Sequence, residues 1–164
     1  MAAETDNARV AELHAGDQTD RQKGYASAAE LAELAARDLA RRKEVRELMG
    51  RGEVNTPVDL YRCAVVFLHG STPADFVVAH RLATLAAVSG HQAARWLTAA
   101  SLDRLLMSVG LPQTYGTQFE AAEDGRYQLR LPIDDSAVLS FEKRFYGVPT
   151  VMERLAQLNS RAAG

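Results

Sequence analysis

The residues best suited to chemistry lie where a helical pattern runs into a loop. Leu102-Asp103-Arg104 is followed by Gly110-Leu111-Pro112 and then by Gln113-Thr114-Tyr115-Gly116-Thr117-Gln118. Asp103 falls on the same helical stripe as Trp96, Ala100 and Met107, where an apolar residue would normally stand. A carboxylate on a core-facing stripe must be paired or hydrogen-bonded. Two readings of Asp103 have equal standing. It holds the following loop by accepting bonds from backbone groups around Gln113, Thr114 and Tyr115, or it orients a histidine or a ligand. Arg104 borders the same face and suits an anionic group. The amides of Gln113 and Gln118 and the hydroxyls of Tyr115 and Thr117 add donors and acceptors beside it.

Two histidines could transfer protons near neutral pH. His69 ends an apolar helical segment just before Gly70, where a helix's negative end favours imidazolium. His80 lies mid-helix on a stripe with Phe76, Ala83 and Ala87, the ordinary setting of a packed core histidine. His14 and His91 read as surface or helix-start residues. Near the N-terminus, Val10, Leu13, Asp17 and Arg21 share one stripe that turns polar halfway along. Asp17 and Arg21 are spaced to pair, with Gln18 beside them. This is either an exposed helix end with a surface ion pair or a buried charged pair lining a pocket.

These residues need helices to hold them, and the start and stop signals are clear. A first helix is expected from Asn7 to about Lys23, with Gly16 a weak point. Ser27-Ala28-Ala29-Glu30 is a capping box that opens a second helix, running through Leu31, Leu34, Leu39, Val45 and Leu48 to Gly50. Its charged middle, Arg37 to Arg46, reads as a solvated face with ion pairs along the helix. Thr56-Pro57-Val58-Asp59 and Thr72-Pro73-Ala74-Asp75 each combine a cap, a proline at the first position and an early acid. They open a third and a fourth helix, closed by Gly70 and Gly90. A fifth runs from Gln92 to about Val109. Alternation around Asp124-Gly125 predicts a small β-hairpin. A sixth helix capped by Asp134 or Asp135 should reach Tyr146. Pro149 should start a short seventh, and the tail from Ser160 to Gly164 should fray.

The expected fold is therefore all-α: one compact domain over residues 1–164, with about seven helices and one small β-hairpin. At 164 residues the chain is long enough for a real core. Its 47% hydrophobic and 24% charged residues are those of an ordinary globular protein. No linker divides it. The small-residue segment from Ala83 to Leu97 reads as a lone helical hairpin, since no second copy recurs at a fixed period. A net charge of −2 gives no basic excess for nucleic acid. No stretch is long enough for a membrane span and no apolar leader precedes the first helix, so a cytoplasmic protein is expected. The single cysteine, Cys63, sits in an apolar run and reads as a buried small hydrophobe. Neither a metal motif with usable ligand spacing nor a phosphate-cradling glycine motif is found, so neither metal nor cofactor is expected.

Taken together, Asp17-Gln18-x-x-Arg21, His69, Leu102-Asp103-Arg104, Gly110-x-x-Gln113-x-Tyr115-Gly116-Thr117-Gln118 and Leu131-Pro132-Ile133-Asp134-Asp135 resemble an uncharacterised bacterial family, a domain of unknown function. The resemblance covers the chain from Asp17 to about Pro149. It implies that Asp17, Gln18, Arg21, His69, Asp103, Arg104, Gln113, Tyr115 and Gln118 belong to one constellation. Leu68 stands where members often carry glutamine, and Arg144 is single where a pair is common. The family carries no established reaction.

Three functions compete. In an enzyme with metal-independent acid–base chemistry, Arg21 or Arg104 would hold an anion. His69 or His80 would move the proton, Asp103 would orient the histidine, and Tyr115 would donate a hydrogen bond. Asp17, Gln18, Gln113, Thr117 and Gln118 would complete the substrate site. The substrate would be a small polar or anionic molecule or a peptide, and the reaction hydrolysis, elimination or cyclisation. In a non-catalytic ligand- or peptide-binding module the same groups would only bind. In a helical interaction domain the polar network would merely specify the fold.

Overall fold

A computed structural model describes residues 5–25, 27–136 and 138–162. Among them are seven helices: α1 (Ala8–Arg21), α2 (Ala28–Gly50), α3 (Pro57–Leu68), α4 (Pro73–Val88), α5 (Gln92–Ser108), α6 (Ser140–Tyr146) and α7 (Val151–Ala162). Strands β1 (Phe119–Ala121) and β2 (Tyr127–Leu129) pair antiparallel, with Glu120 opposite Gln128. The architecture is predominantly α, as the periodicity requires.

The local signals work as capping chemistry demands. Asn7 accepts from the Arg9 and Val10 amides, and Ser27 and Glu30 form the reciprocal capping box of α2. Thr56 and Thr72 cap α3 and α4 ahead of Pro57 and Pro73. The end of α5 is a Schellman turn: the Gly110 amide donates to Met107 at 3.2 Å and the Leu111 amide to Leu106 at 2.9 Å. Gly110 has φ +79°, a conformation that disfavours any side chain. This turn aims the chain into the Gln113–Gln118 loop.

One apolar cluster joins α1 to α5, with Val10, Val45, Cys63, Val66, Phe67, Ala79, Leu82 and Leu97 buried in it. Cys63 is fully buried, and burial raises its thiol to about 12, so it behaves as the small hydrophobe expected. A second, smaller cluster of Ala99, Tyr115 and Val148 fixes the C-terminal elements to the other side of α5. Trp96 packs against both clusters.

Three expectations are corrected. The charged middle of α2 is only in part a solvated face: Arg37–Glu33 and Arg41–Asp38 pair along the helix, but Asp38 and Arg42 are buried and other ion pairs run across to α1 and α4. Asp38, Arg42, Val45 and Leu48 recur at helical spacing, so the inward stripe carries charge into the core side. Leu31 and Leu39 instead face outward.

The sixth helix begins at Ser140, not at Asp134 or Asp135. The Gln113 amide donates to Pro132 at 3.0 Å and the Asp134 amide to Gln113 at 2.8 Å, which holds this segment extended. Glu142 reaches back to the Leu139 amide at 3.2 Å and sets the start.

The seventh helix begins at Val151, not at Pro149, after Thr150, whose hydroxyl accepts from the Glu153 amide at 3.2 Å. That helix is continuous through Ala162; residues 163 and 164 lie outside the described residues. No helix among the described residues is long and apolar enough to cross a membrane.

Candidate functional site

Asp17 and His69 meet where the end of α3 reaches the middle of α1. His69 is the C-terminal cap residue of α3, and its Nδ1 lies 2.9 and 2.8 Å from the two Asp17 oxygens. A carboxylate only accepts, so Nδ1 carries the proton of the neutral ring. Nε2 has no protein partner among the described residues, and the side chain keeps 22% of its surface exposed. Behind it, Asp17 is 1% exposed. Gln18 donates to Asp17 at 2.9 Å, and Arg21 lies 3.4 Å from the same carboxylate and 2.6 Å from Asp38. Burial pushes the Asp17 carboxyl up, but His69, Gln18 and Arg21 outweigh it and leave the group below its ordinary range.

Arg104 reaches this site through the backbone. Its Nη1 donates to the Leu68 carbonyl at 2.7 Å and its Nε to Gln118 Oε1 at 3.1 Å. Both acceptors are neutral, and no carboxylate pairs with Arg104 among the described residues. Burial, with the like charges of Arg130 and Arg21 nearby, disfavours its cation and lowers its pKa. Because the contact at residue 68 is a carbonyl, Leu68 supports Arg104 as well as any other residue would.

The loop after α5 is organised by Asp103, which is fully buried. One oxygen accepts from the Thr114 amide at 2.7 Å, the Thr114 hydroxyl at 3.2 Å and the Tyr115 amide at 2.9 Å. The other accepts from the Thr117 amide at 2.9 Å and its hydroxyl at 2.7 Å. Gln113 Oε1 accepts from the Gln118 amide at 2.9 Å, and Gln113 Nε2 donates to the Gln118 and Arg130 carbonyls. Gln118 Nε2 donates to the Ala100 carbonyl at 3.1 Å and to Thr117 at 2.9 Å.

Of the expected site residues, the structure thus brings Asp17, Gln18, Arg21 and His69 together. It joins them through Leu68 to Arg104 and Gln118. Asp103, Gln113 and Thr117 serve the loop's own bonds, and among the described residues Asp103 bonds to no histidine.

Two candidates stand apart. The Tyr115 hydroxyl donates to Glu142 at 3.1 Å, and burial together with that bond raises its pKa. His80 Nδ1 faces the Thr98 carbonyl at 3.1 Å and Ser101 Oγ at 3.3 Å, tying α4 to α5.

Sequence reasoning missed His14 and Asp20. His14 is half-buried one turn before Asp17, and burial, opposed by Asp17 and reinforced by Arg62 and His69, lowers its pKa. Spacing offered a signal, since His14 and Asp17 share a helix face three residues apart. Asp20 is buried and takes Arg37 at 3.0 Å, Lys23 at 3.3 Å and Arg41. Among the described residues no group of three or more His, Cys, Asp or Glu is placed to hold a metal ion.

No protein-family model, no curated protein and no solved structure matches the chain.

Proposed function

We propose that the protein is an enzyme that uses the Asp17–His69 pair for metal-independent acid–base chemistry on a small polar or anionic molecule or peptide. The observation that carries the reading is the polarised ring: Nδ1 is held by a buried carboxylate while Nε2 is without a protein partner. In this arrangement Nε2 accepts the substrate's proton and Asp17 stabilises the imidazolium that forms. Arg21 and Arg104 supply positive charge beside the site. No hydroxyl or thiol is bonded to His69 among the described residues. The chemistry that fits is proton abstraction leading to elimination or cyclisation, or hydrolysis by a water that His69 activates. The family resemblance belongs to the same proposal, supported by the meeting of Asp17, Gln18, Arg21 and His69 at one place. So do a cytoplasmic setting and a ligand other than nucleic acid, the latter favoured by the net charge of −2.

A binding module without turnover is the second reading. It is favoured by Arg104, a half-buried cation without an acidic partner among the described residues, which needs a ligand's charge and no proton transfer.

The test is to incubate the protein with a fractionated metabolite and dipeptide mixture and follow loss of mass-resolved components. A component should disappear with wild type, and His69→Gln should slow its loss by about 10²–10⁴-fold, the usual weight of general acid–base catalysis. Equal turnover by His69→Gln overturns the reading. Retention of a component with no conversion establishes the binding module instead.

A further inference from the structure

A cavity of about 320 Å³ opens at Gly70, the residue that follows His69 in the chain. Gly70, Phe76, Arg104, Met107, Gln118 and Arg130 line it. Its size is at the lower end of the range for small-molecule sites. The charge in it is one-sided. Arg104 spends two of its nitrogens on neutral acceptors, and its third, Nη2, has no protein partner among the described residues. Arg130 approaches Glu120 only at 3.9 Å, with both side chains about half exposed, so its pairing is weak and easily exchanged. A half-buried guanidinium facing a second guanidinium is unfavourable unless an anion sits between them. Elsewhere in this chain the buried arginine side chains do have carboxylates: Arg41 has Asp20 and Asp38, and Arg42 has Asp75. Arg104 departs from that pattern where a cavity opens.

We propose that this cavity is an oxyanion-binding site, with Arg104 and Arg130 gripping a carboxylate or phosphate whose apolar body lies on Phe76 and Met107. The assignment deepens the enzyme reading, since it places the substrate's anionic group beside the segment that carries His69. Binding does not depend on proton transfer, so the two can fail separately. Gly70 is required by close packing on α4, since a Cβ there would collide with the Asp75 side chain.

The experiment titrates the full chain with inorganic phosphate and, separately, with benzoate. Ionic strength is matched with chloride, and arginine Nε–H resonances and calorimetry are followed. At least one probe should bind saturably, one per chain, and shift Arg104. The probe that binds tells phosphate from carboxylate. Arg130→Ala alters an exposed side chain and should leave the fold intact while weakening binding about tenfold, as loss of one charge-assisted contact predicts. His69→Gln should bind the anion as wild type does, even where turnover is lost. Saturable binding by neither probe overturns the site. So does binding unchanged in Arg130→Ala, or shifts confined to Arg37, Arg41 and Arg46.

Discussion

Asp17 and Asp103 are the same residue type, equally buried, on helices that would otherwise turn an apolar face to the core. Their partners differ. Asp103 is held by three backbone amides and two hydroxyls, none of which titrates near neutrality. Asp17 is held by an imidazole, an amide side chain and a guanidinium. A carboxylate closed by backbone donors fixes the shape of a loop and is finished. A carboxylate closed by a ring with a second, open nitrogen can transmit its charge outward. Burial of an acid therefore says little about function until the far side of its partner is known.

Asp103 gives the largest expected effect. Asp103→Ala leaves three amides without their acceptor, and denaturant unfolding should show a loss of about 3–5 kcal/mol, since each unsatisfied buried donor costs about 1–3 kcal/mol. A loss near zero would mean that the loop holds itself and that the contrast with Asp17 is false.

Asp17→Asn should be milder, costing about 1 kcal/mol, because an amide can still meet His69 and Gln18. Its effect should appear in the ring itself. Nitrogen-15 spectra should show the Nδ1–H tautomer of His69 in wild type. The Nε2–H form should increase in Asp17→Asn, whose amide can donate to Nδ1. Nε2–H dominance in wild type would remove the basis of the dyad.

The smallest effect is a pH dependence in two stages. Burial lowers the pKa of His14 and His91, so each binds its proton more readily when unfolded. Their contribution is complete above the ordinary histidine value of about 6.5 and fades as pH falls below it. Asp17, Asp20 and Asp75 also lie low. Their contribution holds above the ordinary carboxylate value of about 3.9 and is lost below it. Unfolding free energies from pH 8 to 3 should show both declines, and His14→Gln should reduce the first. A flat profile down to pH 5 would show that the histidines are not desolvated in the fold.

The fold was largely legible because caps, prolines and glycines act locally. Ser27, Thr56-Pro57, Thr72-Pro73 and Gly110 set helix ends with bonds to residues a few positions away. The start of α6 was not, because a distant pairing with Gln113 holds residues 132–134 extended. The candidate site divides in the same way. Spacing alone marked Asp17, Arg21 and Asp103 as acids and bases on the wrong stripe. That Asp17 rather than Asp103 meets His69 depends on where the end of α3 crosses α1, a packing outcome between residues 52 positions apart. The charged interior of α2 was hidden for another reason: a run of arginines resembles a solvated face until two of its acids, Asp20 and Asp75, turn out to lie on other helices.

The position of Trp96 gives the molecule a built-in optical gauge. It is the chain's one indole, and it touches both the main apolar cluster and the smaller one that anchors the C-terminal elements. Its emission therefore registers separation of either cluster from α5. If the two part company at different denaturant concentrations, a single unlabelled fluorophore records two steps, and it does so on the same helix that carries Asp103 and Arg104.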